Sequence, residues 1–332
     1  MSDAGEFSVI DAIVAGAAQP ATTVLGPGDD AAVLAVPSGR TVATVDVLVD
    51  GVHFRTDWAT GEQIGRRAAL ASLADVAAMG ARPTALLVGV CAPADTPIEL
   101  VTGIGRGLQA EAQAAGAGLV GGDLTSSPVL TISVTALGEP VDAEPVLRSG
   151  ARPGDVVAVC GRLGWAAAGL DVLSRGFRSP AAVVNAYRVP EPPLAAGPVA
   201  AVAGATAMID VSDGLLADVG HIADASGVRI DLSATALTPA PRLLEVASAL
   251  GRNASTWVLT GGDDHALVAT FPAGAALPDG WQPIGTVLED ADGQTPDSAP
   301  DTVPDLASGV RVTVDGQSHT GAAGWDHFGR PG

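Results

Sequence analysis

Five short stretches place aspartate beside glycine or inside apolar sequence: GDD at 28–30, TVD at 44–46, SLAD at 72–75, GGD at 121–123 and DVSDG at 210–214. Aspartate in a glycine turn commonly bonds its own backbone, and Ser212 or Asp213 is a ready N-cap for the helix that DVSDGLLADVGHI opens. Asp46 and Asp75 resist such explanations. Alternation in TVATVDVLVDGVHF (41–54) puts Thr44, Asp46 and Leu48 on one face and Val45, Val47 and Val49 on the other, so Asp46 is a charge in a strand interior. Helical spacing gives Asp75 the neighbours Ala71, Ser72, Ala78 and Met79, none of them cationic. Burying an ionised carboxylate alone costs several kcal/mol, so these groups need a partner or a metal.

Hard oxygen ligands without a His/Cys cluster select Mg²⁺ or a similar ion over zinc or copper. Carboxylates converging from separate loops would repel one another unless divalent cations, themselves carrying nucleotide phosphates, filled the space. The glycines fit that picture. Gly121 and Gly122 ahead of Asp123 let backbone approach phosphate oxygens, and the start of a helix over 214–226 offers free N–H groups and a positive dipole end. Arg148 and Arg152, in RSGARPGD, could clamp a phosphate or equally lie solvated in a linker. GIGRG at 103–107 falls inside a helical pattern without a strand–turn–helix context and is set aside as a nucleotide signal.

The elements that must position these residues read as two series. A helix near 5–18 is followed by the 41–54 strand, and a helix of about five turns over 61–79 ends at Gly80, with Pro83 just beyond. Strands at 85–91, 118–121 and 129–137 enclose a helix over 97–115. EPVDAEPVLRSGARPGD (139–155) mixes Pro, Gly and charge as a joint between domains does, separating residues 1–138 from 156–332. Beyond it come a strand at 155–160, helices through 204, a strand at 206–211, the 214–226 helix, a strand at 228–232 and a helix at 241–250. The acidic, Pro-rich stretch 289–305 reads as a surface loop. The fold class is α/β (α+β) in two domains.

Composition narrows the chemistry. All 17 basic residues are arginine, which removes a Walker A loop, a protein-kinase strand lysine and a Schiff base. Phosphate chemistry must then rest on metal ions, arginine and backbone amides. The net charge of −20 argues against nucleic acid. MSDAGEFSVI lacks a basic, then apolar, leader, and no run of about 18 apolar residues follows, so no membrane span and a cytoplasmic place are expected. Cys91 and Cys160, each in an apolar strand-like run, are expected to be buried, inert thiols.

Taken in order, GEF, GPGDDAAV, TVDVLVDGVHF, SLADVAAMGA, GGDLT, RSGARPGD, DVSDGLLADVGHI, TGGDDHALVATF and GWDHF resemble the thiamine-monophosphate kinases from residue 5 to 328. That family belongs to ATP-binding enzymes resembling aminoimidazole ribonucleotide synthetase, a two-domain fold. The resemblance implies transfer of the γ-phosphoryl of ATP to thiamine monophosphate, giving thiamine diphosphate and ADP, the last step of thiamine diphosphate biosynthesis. It implies several Mg²⁺ ions on Asp30, Thr44, Asp46, Asp75, Asp123, Asp210 and Asp213, with Val45 limited to its backbone carbonyl. Gly122, Asp123, Arg148 and Ser212 would meet ATP; His53, Asp263 and Trp325 would line the substrate site. A homodimer with the N-terminal sheets packed across a two-fold axis is also implied.

The chain departs from the family's pattern at GGDDHAL, where GGEDYEL is common: Asp263 is one methylene shorter, and His265 and Ala266 replace Tyr and Glu. Because the acceptor is a phosphate oxygen, no strong general base is needed. Direct in-line transfer by positioning and charge neutralisation, with Arg148 among the stabilising charges, is expected without a phosphoenzyme. His53 and His221 are the tempting covalent residues, and His221 reads as an ordinary helix position. The alternatives are another ATP-using enzyme of the same scaffold or a non-catalytic Mg²⁺- or nucleotide-binding regulator.

Overall fold

The computed structural model describes residues 10, 12–14, 16, 18–27, 31–290 and 311–325. Of the expected first helix, residues 10 and 12–14 are helical and Gly16 already turns at φ +74°, so the helix ends before 18. Asp29 and Asp30 lie outside the described residues, as does the 291–305 part of the expected loop.

A short ladder, β1 (Thr23–Leu25) against β2 (Val33–Leu34), precedes β3 (Val42–Val49). The alternation in β3 is as its sequence dictates: Val45 and Val47 are 58% and 50% exposed, whereas Leu48 is 4% exposed. Helix α1 (Gly61–Ala78) starts at a capping box in which the Thr60 hydroxyl accepts from Gln63 N while the Gln63 side chain accepts from Thr60 N. It stops where Gly80 adopts φ +70°. Strand β4 (Ala81–Ala92) begins at once, so Pro83 lies within a strand, beside the register shift between Pro83 and Ala85 where an absent N–H is tolerated.

Helix α2 (Ile98–Ala114), β5 (Gly118–Ser126) and β6 (Thr131–Pro140) complete a four-stranded sheet of order β3-β6-β4-β5, with β4 and β5 parallel. The two helices approach through glycine. A Cβ at Gly65 would meet Ile104 O at 2.0 Å, and one at Gly107 would meet Glu62 O at 2.1 Å. GIGRG is therefore half of a helix-packing seam, which is why a glycine-rich run persists in helical sequence.

The second sheet is built from β7 (Val156–Cys160), β8 (Ala207–Asp210), β9 (Arg229–Leu232), β10 (Leu267–Phe271), β11 (Gln282–Leu288), β12 (Val312–Val314) and β13 (Gln317–Ser318). Between β7 and β8 come α3 (Trp165–Ser174), α4 (Ala181–Arg188) and α5 (Ala196–Val202). Helix α6 (Leu215–Ser226) precedes β9, and α7 (Pro241–Leu250) and α8 (Ala254–Thr260) follow it.

Its order is β13-β12-β9-β11-β7-β10-β8. Two strands beyond those expected, β10 and β11, slot between β7 and β8 and between β7 and β9 with antiparallel register. A series that alternates like a parallel βα fold thus becomes a mostly antiparallel sheet, with β9–β12 its parallel pair.

One apolar core lies between α6, α7, α8 and the second sheet, and another between α1, α2 and the first. A third joins them: Ala77 and Ala78 at the end of α1 pack with Met208, Phe271 and Trp281 of the second sheet's side. Helix α1 is the element shared by both halves, and everything it carries is held relative to both sheets. No helix among the described residues is long and apolar enough to cross a membrane. Cys160 is buried in β7, but Cys91 in β4 is only half-buried, because it points to the sheet face that α1 and α2 do not cover.

Candidate active site

The acidic residues gather where β3, α1 and the end of β8 meet. Thr44 Oγ1 donates to Asp75 Oδ2 at 2.6 Å, and Ser72 Oγ donates to Asp46 Oδ2 at 2.7 Å, so neighbouring turns of α1 each touch the inward face of β3. Burial first, then the carboxylates of Asp210 and Asp46, push Asp75 up to about 7. The hydrogen bond from Thr44 and the charge of His265 oppose this crowding without cancelling it, and the like charge that remains fits hard divalent cations. Among the described residues, no three His, Cys, Asp or Glu side chains already close around one point.

Asp210, buried at the end of β8, lies 3.0 Å through Oδ2 from His265 Nδ1. Burial tends to lower the His265 pKa, but the hydrogen bond to Asp210 and that carboxylate's charge outweigh it and the net shift is upward.

The loop after β8 is shaped differently from the expected N-cap at Ser212 or Asp213. Gly214, at φ +137°, is the N-cap, and the carboxylate of Asp218, from inside α6, accepts from both Asp213 N (3.1 Å) and Gly214 N (3.0 Å). Those two N–H groups are therefore already satisfied. Burial, opposed by the hydrogen bond from Gly214, raises Asp218 to about 7.

Against this loop stands 262–265, where Asp263 and His265 hold φ +67° and +52°. Non-glycine residues there cost about 1–3 kcal/mol each and persist only when their surroundings fix them. Here Asp263 N donates to Ser212 O at 2.8 Å and His265 N to Val211 O at 2.9 Å. Between them, Asp264 accepts from Gly164 N and from Ala166 N (2.8 Å), bolting the loop to the start of α3.

A cavity of about 610 Å³ opens between these parts. Its walls include Val45, Asp46, His53, Ser212, Asp213, Asp263 and Trp325, seven of the residues singled out from sequence. His53 Nδ1 accepts from Val49 N at 3.0 Å, so Nε2 carries the proton of a neutral ring. Trp325 is held at the cavity by its backbone N–H, which donates to Asp213 O at 2.9 Å; its side of the site is open, the residue being 59% exposed. Thr44, Asp75 and Asp210 do not line the cavity themselves; Asp210 is joined to it through His265, which does.

Gly122, Asp123 and Arg148 are not brought to this cavity within one chain. Asp123 shares a cross-strand row with Gly89, Ser133 and Val47, on the face of the first sheet opposite Asp46, and three strand spacings, about 14 Å, separate β5 from β3. Gly122 sits so close to β4 that a Cβ would meet Val88 O at 2.1 Å. Arg148 is exposed and its carbonyl accepts from Ser226 at the far end of α6, about 18 Å along that helix from Ser212. Arg152 is likewise exposed, and its N–H donates to Asp155.

Sequence reasoning missed Arg67, Tyr187, Asp218 and Asp264. Arg67, 3% exposed, falls two turns before Asp75 on one stripe of α1. The periodicity that located Asp75 could have located it. Tyr187 is the chain's one tyrosine, and nothing local marks it.

The family described as AIR synthase related protein, N-terminal domain, matches residues 28–139. A thiamine-monophosphate kinase of Mycobacterium tuberculosis is 49% identical over 98% of this chain and 92% of its own length. One of Corynebacterium glutamicum is 43% identical over 87% of this chain and 88% of its own. The solved structure described as AaThiL complexed with AMPPCP and TMP is similar with a TM-score of 0.77 and 30% identity, covering 99% of this chain and 98% of that one.

Proposed function

This chain belongs to the thiamine-monophosphate kinase family, and from that membership and the chemistry of its cavity we infer that it transfers the terminal phosphoryl group of ATP to thiamine monophosphate. The products are thiamine diphosphate and ADP. The single observation that carries the reading is the cavity between the two halves, with Asp46 and His53 from the first half and the Ser212 loop, Asp263 and an exposed indole from the second. A relative of near full-length similarity holding AMPPCP and TMP supports it.

The residues fit Mg²⁺. Thr44, Asp46, Asp75, Asp210 and Asp213, with the Val45 carbonyl and Asp30, would hold it. Bound there, Mg²⁺ supplies neutralisation of phosphate charge. The chain's own residues do the rest. Ser212 sits on a loop fixed by Asp218 and by Asp263 N, and so offers a set position to a phosphate oxygen. The Nε2–H of His53 is a donor toward the substrate, and the Trp325 ring offers a surface for a heterocycle. The acceptor phosphate is anionic near neutral pH, so the site has to align and to exclude water rather than remove a proton.

The outer face of the first sheet supports a homodimer. Val45, Val47 and Leu87 expose apolar side chains there, at 58%, 50% and 37%. A second copy packed on that face would cover them and would also cover Asp123, giving Gly122 and Asp123 a role in nucleotide binding that one chain alone does not provide. Arg148 would meet nucleotide outside the cavity. In this reading residues 1–138 form the nucleotide and dimerisation half, 139–155 the joint, and 156–332 the half that completes the site. Free thiols at Cys91 and Cys160 suit a cytoplasmic enzyme.

The test is incubation of the purified protein with ATP, Mg²⁺ and thiamine monophosphate. Thiamine diphosphate is the expected product, and its absence at saturating Mg²⁺ removes the reading.

A further inference from the structure

Arg67 is the one arginine among the described residues lining the cavity, and it is buried. Its Nη1 donates to Tyr187 O, and its guanidinium lies over the Tyr187 ring, 4.7 Å from the centroid. Tyr187 in turn meets Trp58 edge-on at 5.9 Å, and Arg188 Nε donates to Trp58 O at 2.6 Å. The guanidinium plane is thus fixed from below.

Its remaining nitrogen is not so tied. Nη2 is buried and lies 2.7 Å from Asp263 Oδ2, near enough for an ion pair but off the line of a hydrogen bond, and has no hydrogen-bond partner among the described residues. A buried, permanently charged donor is left with an unmade bond in a cavity also lined by Asp46, Asp171, Asp213 and Asp263, with His265 held by Asp210.

A guanidinium finds nothing in a cationic or neutral ring that it does not find better in an anion. Thiamine monophosphate carries both kinds of end, a cationic ring system and a phosphate. Arg67, Ala71 and Asp75 fall at successive turns of α1, about 12 Å from first to last, and the small side chain at Ala71 leaves the space between them open to the cavity.

We propose that Arg67 recognises the phosphate of the phosphorylated substrate, and that the Arg67–Asp263 contact is exchanged on binding for one contact from guanidinium to phosphate and one from carboxylate to the cationic ring system. The inference rests on the kinase reading and deepens it. Asp263 keeps its backbone position during the exchange, because its N–H is held by Ser212 O.

The quantity to measure is the phosphate increment: the ratio of dissociation constants for thiamine and thiamine monophosphate, by calorimetry in Mg²⁺ without ATP. Losing a charge-assisted hydrogen bond corresponds to about a 10- to 100-fold change, so Arg67→Met should shrink the increment by that factor through weaker binding of the monophosphate alone. Arg67→Lys should recover part of it. Asp263→Asn should weaken both ligands and leave the increment intact, which reads the same exchange if Arg67→Met does not fold. Equal weakening of both ligands in the Arg67 variants, or a collapsed increment in Asp263→Asn, overturns the proposal. An unaltered protein that binds neither ligand removes the kinase reading itself.

Discussion

The hydroxyl of Thr44 donates to the carboxylate of Asp75 across 2.6 Å, tying the strand that carries Asp46 to the helix that both halves share. This contact sets Asp75 near the carboxylates of Asp46 and Asp210, whose charges raise its pKa despite the opposing charge of His265. Asp75→Asn keeps an oxygen to accept from Thr44 and removes a crowded charge, so the melting temperature should hold or rise. Turnover should fall by about 100-fold or more, the usual scale for losing one electrostatic element of a transition-state site. Near-normal turnover in a folded Asp75→Asn protein would refute the ligand role.

Asp218 and Asp264 make opposite predictions for the same substitution. Both bonds to Asp218 fall on Oδ2, so Asn can accept both with its one carbonyl oxygen. Asp218→Asn should bind ATP almost normally. Asp218→Ala strands two N–H groups and should lose about 1–3 kcal/mol of stability, with a raised KM for ATP as the Ser212 loop loosens. Asp264 uses one oxygen for each of Gly164 and Ala166, so Asn keeps one bond and loses the other. Urea unfolding of the three variants checks the contrast.

The same Asp264 gives a pH dependence. Burial above all, against two N–H donors that favour the charged form, holds its carboxyl at about 7. That lies above the unfolded value of about 3.9, so the fold retains a proton that the unfolded chain releases. Its contribution is present below about pH 4 and is lost as pH rises through about 7. The stability difference between wild type and Asp264→Asn should therefore shift against the wild type over that window, and unfolding curves that keep a constant separation from pH 4 to 7 would contradict this.

Gly65→Ala tests the packing seam. Alanine favours an isolated helix over glycine by about 1 kcal/mol, but here its Cβ would lie 2.0 Å from Ile104 O. Overpacking of this kind typically costs about 1–3 kcal/mol. A net loss of stability is expected, and a gain would mean that α1 and α2 separate freely.

Much of the first half was legible because β3 and α1 have clean periods. The alternation that faced Asp46 inward and Val45 outward, and the helical stripe ending at Asp75, are local properties of the chain. The second half was less so. LVATF in β10 is five buried residues with no alternation, and its place between β7 and β8 depends on pairing partners about 60 and 110 residues away in sequence. The site divides in the same way. Asp46, Asp75 and Asp210 announced themselves as charges in apolar sequence, whereas Arg67 gains its meaning only from Tyr187 and Asp263, far along the chain. Asp123 reads in sequence like the other acidic motifs, yet strand register puts it on the opposite face.

Phosphate is expected to pass directly from ATP to thiamine monophosphate in the cavity between the two halves. A single-turnover experiment with γ-labelled ATP, thiamine monophosphate and Mg²⁺, quenched at successive times, tests it most directly. Label should move from ATP into thiamine diphosphate with none on the protein at any time; label retained by the protein, or released only as free phosphate, would rule direct transfer out.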